Sequence, residues 1–218
     1  MEAAAAPARA IRVRGVTPGW AAASLAFLAL ALVVGVIAGP VHLEVGDVLR
    51  SLGEKLGIPG VTSPLDATQE SIVWDLRVPR VLLAGLVGGM LAIAGATYQG
   101  VFHNPLADPY LLGVAAGAGL GATLAIAYLP DALAGRQVLP VAAFAGASVA
   151  VVVAYAIGRS AGRARDAATL VLAGVTVASF FTALQTFVQQ QNADTLQEVT
   201  SWILGSLPNT GWSDVAAL

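Results

Sequence analysis

Cysteine is absent from this chain, and charged side chains are scarce. The 218 residues contain 11 Lys+Arg and 13 Asp+Glu, so charged residues make up 11% and hydrophobic residues 57% of the sequence. Soluble domains have roughly 25% and 45–50%. The lack of cysteine excludes disulfides, thiolate metal sites and Cys nucleophiles, and a net charge of −2 provides no basic surface for nucleic acid. The composition therefore predicts a polytopic membrane protein.

Five charge-free stretches each exceed the roughly 20 residues that a helix needs to cross about 30 Å of hydrocarbon. They predict an all-α transmembrane bundle with five full spans, a short external helix and the start of a sixth span. The predicted spans are Trp20–Ala38, Val81–Val101, Tyr110–Leu129, Val138–Ile157 and Thr169–Gln189. Alternation with period two, as in a transmembrane barrel, is absent. A cleaved signal peptide is disfavoured because the first apolar run is long and four more spans follow it.

Two arginine clusters predict the orientation of these spans. Arginines concentrate on the cytoplasmic side of membrane proteins, and clusters lie before the first span and between the fourth and fifth. Their members are Arg9, Arg12 and Arg14, and Arg159, Arg163 and Arg165. Both clusters agree on a multi-pass protein of the plasma or inner membrane with a cytoplasmic arm at 1–18 and an outer loop at 40–76.

Arg77 and Arg80 break this pattern, because they lie at the outer mouth of the second predicted span. Arginine side chains in such positions extend towards lipid headgroups. The alternative is that they dock an acidic partner arriving from outside, and the residues alone leave both interpretations open. Pro79 suits the first turn of a helix, where its missing N–H costs nothing.

Small residues recur at every fourth position of the second and third predicted spans. The stripes are Ala84, Gly88, Ala92, Ala96 and Gly100, and Gly113, Gly117 and Gly121. Small residues allow helix backbones to approach closely in lipid, so the stripes predict a tightly packed bundle. Between these spans, Asn104, Pro105, Asp108 and Pro109 predict a tight cytoplasmic turn, with Pro105 ending one helix and Asp108-Pro109 starting the next.

The fifth predicted span is unusually polar. Its polar residues are Thr176, Ser179, Thr182, Gln185, Thr186 and Gln189, mostly three or four positions apart and so on one face. Such groups in hydrocarbon either form hydrogen bonds between helices or line a water-filled path, and both interpretations stay open. After this span, Asp194 as a cap with Gln197 reaching back predicts a short external helix at 195–207, too short to cross the membrane.

Catalytic chemistry is not indicated. An ATP-hydrolysing domain of this kind needs a P-loop, yet the only lysine in the sequence, Lys55, lies outside any such motif. No cluster has metal-ligand spacing, so we expect no metal, no cofactor and no enzymatic activity. If the chain transports a solute, a partner supplies the energy.

Several motifs together resemble one family, the FecCD-type permeases of type II ABC importers, which take up iron siderophores, haem and cobalamin. They are Leu76-Arg77-Val78-Pro79-Arg80, the segment from Gln99 through His103-Asn104-Pro105-Leu106-Ala107-Asp108-Pro109 to Gly113, Leu170-Val171-Leu172-Ala173-Gly174, and Ser201-Trp202-Ile203-Leu204-Gly205-Ser206-Leu207. The resemblance runs from about Trp20 to the C-terminus.

The resemblance implies a ten-helix permease that works as a homodimer with two ATPase subunits and a periplasmic or lipid-anchored substrate-binding protein. It implies that Arg77 and Arg80 receive acidic residues of the binding protein. It further implies that Ser179, Thr182, Thr186 and Gln189 line the translocation path and that 195–207 is a gate-like element. Because ten spans are expected, the sequence predicts a partial permease. The alternatives are an ATP-independent secondary transporter or channel, or a nonfunctional fragment.

Overall fold

The structure is a computed structural model that describes residues 15, 17–129, 138–160, 167–205, 207 and 210–217. Within these residues every regular element is helical. The α-helices are α1 (Pro18–Ile37), α2 (Val45–Lys55), α3 (Ala67–Ser71), α4 (Val78–Phe102), α5 (Val114–Tyr128), α6 (Val138–Ser160), α7 (Ala167–Gln191), α8 (Leu196–Leu204) and α9 (Trp212–Ala217). A π-helical segment, Ile72–Arg77, joins α3 to α4, and 3₁₀ turns occupy Pro109–Leu112 and Ala193–Thr195.

In the part of the chain that the structure describes, four helical runs are long and apolar enough to cross a membrane, which confirms four of the five predicted spans. They are Pro18–Ile37, Ala67–Phe102, Val138–Ser160 and Ala168–Gln191. The third predicted span was wrong in its extent. Gly113 adopts φ 76° and separates the 3₁₀ turn from α5, which has 15 residues and a length of about 22 Å.

The segment 40–76, predicted as an outer loop, contains α2, α3 and most of the π-helical segment. Asp66 starts α3 with a capping box: its Oδ1 accepts the Gln69 N–H at 2.8 Å, and Gln69 Oε1 accepts the Asp66 N–H at 3.2 Å. The charges of this stretch exclude a membrane span but do not exclude helices. The helical run then continues without a break to Phe102.

Pro79 is the second residue of α4 and so lies in its first turn, but the helical run continues into it from the π-helical segment. A proline in a helix interior clashes with the carbonyl four residues earlier. Here the preceding segment is π-helical, and the Val78 N–H donates to the Val73 carbonyl five residues back. A wider turn directly before Pro79 relieves this clash and keeps the run continuous.

The chain divides into two compact units. The first comprises 1–85 and 209–218, as far as these residues are described. Its core is a cluster of Val36, Val48, Val73 and Val78, which joins α1, α2, the π-helical segment and α4. Two tryptophans tie the segments together: Trp74 Nε1 donates to Ser51 Oγ at 2.9 Å, and Trp212 Nε1 donates to the Trp74 carbonyl at 2.9 Å.

The second unit, 86–208, is built on α5, α6 and α7. Gly117 and Gly121 of α5 face the backbone of α6 so closely that a Cβ at either would collide with the Gly146 or Ala142 carbonyl. This confirms the tight packing predicted for the third span. Gly113 meets Ala178 of α7, and near the opposite end of both helices Asn192 Nδ2 donates to Tyr128 Oη at 3.3 Å, so α5 and α7 run parallel.

The small-residue stripe of the second predicted span does not pack in this way. Among the described residues nothing lies within 4 Å of a Cβ built on Gly88 or Gly100, and Ala92 and Ala96 are exposed. The expectation of a tight contact along this stripe was therefore wrong for the described chain. Spacing identifies a face of a helix but not the partner that covers it.

The short helix after the fifth span was predicted with the wrong bounds and the wrong cap. The 3₁₀ turn Ala193–Thr195 includes Asp194, α8 begins at Leu196 without a side-chain cap, and Thr195 Oγ1 donates to the Asn192 carbonyl at 2.8 Å. The helix ends at Leu204 because Gly205 adopts φ 71°. Arg9, Arg12, Arg14, Arg163 and Arg165 lie outside the described residues, whereas Arg159 lies in the last turn of α6.

Candidate functional site

Helix α7 has two opposite faces. Ala173, Val177, Phe181 and Val188 are buried, and Val177 and Phe181 pack with Leu120 of α5 and with α6. The opposite face carries Ser179, Thr182 and Thr186, which are exposed, and Gln189, which is half-buried beside them. All four predicted path residues therefore lie away from the main helix contact of α7.

The hydroxyl groups on this face bond to their own helix. Ser179 Oγ donates to the Val175 carbonyl and Thr186 Oγ1 to the Thr182 carbonyl, each at 2.9 Å. Thr176 Oγ1 donates to the Leu172 carbonyl at 2.9 Å. These hydroxyl groups therefore form no hydrogen bonds between the described helices. Each hydroxyl oxygen keeps acceptor capacity towards a solute or water.

Gln185, which is absent from the predicted path residues, lies beside a cavity of about 430 Å³ in the second unit. A Cβ built on Gly119 would lie 2.8 Å from Gln185 Oε1, so the glycine provides room for the amide. The cavity lining is mostly apolar and comes from α4, α5, α7, α8 and the 3₁₀ turn before α5. It includes Leu91, Tyr110, Gln185, Trp202 and Ile203. The signal in the sequence was Gln185 itself, three positions after Thr182; Gly119 opposite it becomes visible only in the fold.

Arg77 is buried, with 6% of its surface exposed. Its guanidinium donates to the carbonyls of Val36 at 3.1 Å and Ile37 at 2.9 Å, and also to the Val41 carbonyl. Val36 and Ile37 belong to the open carbonyl end of α1, where a cation is favoured by the helix dipole, and Val41 lies in the connection after this helix. Gly39 makes room, because a Cβ there would lie 2.6 Å from the guanidinium. Arg77 therefore fastens α1 to the π-helical segment, and its docking of a partner stays a prediction.

Arg80 follows one helical turn later and is half-buried. It lies in the first turn of α4, and unlike Arg77 it retains accessible surface. Of the two arginines predicted to dock a partner, Arg80 is the one whose surface exposure fits that role.

The predicted turn between the second and third spans is tight. The Leu106 N–H donates to Asn104 Oδ1 at 2.9 Å, and the Tyr110 N–H donates to Asp108 Oδ1 at 2.7 Å. His103 adopts φ 50° at the end of α4, and the Asn104 N–H returns to the Gln99 carbonyl at 3.2 Å, as in a Schellman motif. Asp108 caps a 3₁₀ turn with Pro109 at its start, not the long helix that was expected.

This arrangement, with apolar helices and a polar face turned away from the helix contact, defines a polytopic helical membrane protein. The FecCD transport family matches residues 27–218, and the chain belongs to this family. It is 35% identical over 192 residues to the ABC transporter permease protein YvrB of Bacillus subtilis, covering 87% of this chain and 54% of YvrB.

Two further relatives carry substrate names. The iron(3+)-hydroxamate import system permease protein FhuB of Bacillus subtilis is 36% identical over 151 residues, 69% of this chain and 38% of FhuB. The cobalamin import system permease protein BtuC of Halobacterium salinarum is 34% identical over 150 residues, 69% and 40% of the two chains. The chain thus spans about half the length of these relatives or less.

A solved metal-chelate type ABC transporter in an inward-facing conformation has the same fold. Its TM-score is 0.70 at 23% identity, and the match covers 92% of this chain and 57% of that chain. The predicted family and the predicted all-helical transmembrane fold are therefore confirmed.

Proposed function

We propose that this chain is part of the membrane-spanning permease subunit of an ABC importer for an iron chelate or cobalamin. The observation that carries the proposal is the polar face of α7. The hydroxyl groups of Ser179, Thr182 and Thr186 lie on the side of α7 away from its contact with α5 and α6, whereas the Gln185 amide lies against Gly119 of α5. Polar groups in hydrocarbon face a bundle interior or a water-filled path, so we assign Ser179, Thr182, Thr186 and Gln189 to the translocation path, with Gln185 beside them.

The substrate class rests on the relatives. FhuB bears the name of an iron(3+)-hydroxamate system and BtuC that of a cobalamin system. Both substrates are large chelates with many oxygen or amide groups. A surface of hydroxyls and amides can form weak hydrogen bonds with such groups without binding the chelate tightly. A ferric siderophore is our first choice, and haem is a further candidate.

The remaining parts of the proposal concern partners. Separate ATPase subunits supply the energy, a substrate-binding protein delivers the chelate from outside, and a second permease copy completes the path opposite α7. In this arrangement the N-terminus is cytoplasmic, in the inner or plasma membrane, and α8 closes the outer end of the path as a gate.

ATP-dependent uptake tests this function. The permease carrying this chain is reconstituted in proteoliposomes with its ATPase and binding protein, and labelled ferric siderophore, haem and cobalamin are offered in turn. We expect accumulation of one chelate that requires both ATP and the binding protein. Uptake driven by an ion gradient without either partner would identify a secondary transporter instead.

Docking of the binding protein is tested at Arg80. We expect Arg80→Glu to weaken capture of the permease by immobilised binding protein at least tenfold, because an attractive charge pair becomes repulsive. Arg159→Glu, the same change in the last turn of α6 and on the predicted cytoplasmic side, is the control and should bind normally. Equal capture of both variants would remove Arg80 from the docking site.

A further inference from the structure

Helix α2 packs on the valine cluster of the first unit along one side, and the segment that follows it covers Gly53 on another side through Ile58 and Val61. Val48 and Ser51 are buried on the side of the valine cluster, and Leu52 packs partly against the same cluster. The hydrogen bond from Trp74 Nε1 to Ser51 Oγ, 2.9 Å long, holds α2 to the π-helical segment. The position of α2 is therefore fixed by packing and by a directional contact.

The two flanks of α2 beside this packed side differ in chemistry. One flank is apolar and exposed: Val45, Leu49 and Leu56 are 51%, 46% and 79% exposed, at spacings of four and seven that place them on one helix face. The other flank carries the charges Asp47, Arg50 and Glu54. At 100° per residue, the charged flank lies roughly opposite the apolar one, with the packed side between them.

The depth of α2 follows from its contact with α1. Val48 packs in one cluster with Val36, and Val36 lies in the last turn of α1, which ends at Ile37. Because α1 is a membrane-spanning helix, its last turn lies near the boundary of the hydrocarbon. Trp74 and Trp212, which are joined by a hydrogen bond, belong to the residue type that gathers at this boundary.

The exposed apolar surface also continues between the two helices. Val34 in the last turns of α1 is 52% exposed and Val41 in the connection is 45% exposed, so apolar surface extends along the chain from α1 to Val45. A lipid surface fits this continuous exposed apolar surface better than a protein partner does, since α1 is long and apolar enough to cross a membrane and is almost entirely exposed.

We propose that α2 is an interfacial helix: its apolar flank, Val45, Leu49 and Leu56, inserts into the bilayer boundary, and its charged flank faces water. Such a helix lies in the plane of the membrane surface and is held by buried apolar area. Helix α2 would also hold the segment between the first two spans at a defined depth. Trp74 of the π-helical segment donates to Ser51 of α2, and Arg77 of the same segment donates to carbonyls at the end of α1.

Site-directed spin labelling tests this proposal. These 218 residues contain no cysteine, and any cysteine elsewhere in the complete permease is first replaced by serine. Single variants Leu49→Cys, Leu56→Cys and Arg50→Cys are labelled in the complete permease and reconstituted in phosphatidylcholine vesicles. Accessibility to oxygen, which partitions into lipid, and to a water-soluble nickel chelate is then measured. We expect the oxygen-to-nickel ratio to be several-fold higher at positions 49 and 56 than at position 50.

Two results would overturn the proposal. Equally low oxygen-to-nickel ratios at all three positions would show that α2 stands in water, and protection of positions 49 and 56 from both reagents would show that a protein covers the flank. Val45→Cys reports on the same flank if Leu49→Cys does not fold. None of these positions is assigned to docking or to the path, so failure here leaves the transport proposal intact.

Discussion

Arg77 was predicted as a docking residue, and the fold gives it a structural role as well. Its guanidinium binds carbonyls 36 to 41 positions earlier in the chain. No local pattern reveals such a partner, because it depends on how the end of α1 meets the π-helical segment. The sequence predicted that two arginines lie close to the outer end of a span. It could not show that one of them, Arg77, binds carbonyls at the end of α1.

Replacing Arg77 should therefore destabilise the permease. We expect Arg77→Met to lower the free energy of unfolding by about 3 kcal/mol, since each buried carbonyl left without a donor costs about 1–3 kcal/mol. Arg77→Lys, which keeps the charge but not the fork of donors, should lie between. Denaturant unfolding in detergent measures these differences.

The control for this series is Arg50→Met. The Arg50 side chain is 64% exposed and lies 3.8 Å from Asp47, so we expect a loss below about 0.5 kcal/mol. Equal losses at positions 50 and 77 would contradict the role assigned to Arg77.

Helices α4 and α5 carry similar small-residue stripes with different outcomes. On α5 the stripe meets the α6 backbone, whereas at Gly88 and Gly100 of α4 the described chain leaves the space open. The sequence predicted the existence of both helices and the close contact of one. It could not show which stripe is covered, because neighbours of a helix are decided by the whole topology.

A pair of glycine substitutions tests this difference between elements. We expect Gly121→Ala to lower stability by about 1–3 kcal/mol, because a Cβ there collides with the Ala142 carbonyl and overpacking costs this much. Gly88→Ala should be neutral or slightly stabilising, since a Cβ there meets nothing within 4 Å among the described residues and alanine favours helix.

Thermal unfolding of the two variants in the same detergent provides the comparison. If Gly88→Ala were as damaging as Gly121→Ala, the α4 stripe would be a close contact in the assembled protein, and the contrast between the two helices would be lost.

For the molecule as a whole, scarcity of charge predicted the membrane class and four long spans. The family was predicted separately, from the resemblance of several motifs. The late start of α5 was not predicted, because Gly113 lies within an apolar run. Hydropathy carries no information on backbone angles, so it could not show that Gly113 adopts φ 76° and interrupts the helix. The helices within the charged stretch 40–76 were not predicted either. Charged residues indicate that a segment lies outside the membrane, but they do not indicate whether it is helical or irregular. The polar face of α7 was visible in the sequence, but only the fold shows that it points away from the helix contact.

The central claim is that this polar face lines a water-filled path, and cysteine accessibility along α7 tests it most directly. Thr182→Cys and Thr186→Cys are compared with Phe180→Cys and Phe187→Cys, whose native side chains are 63% and 55% exposed on another side of the same helix. Each variant is treated with a water-soluble thiol reagent in vesicles that contain the assembled transporter. We predict rapid labelling at 182 and 186, slowed by the transported chelate, and little labelling at 180 and 187. Equal, slow labelling at all four positions would contradict the claim.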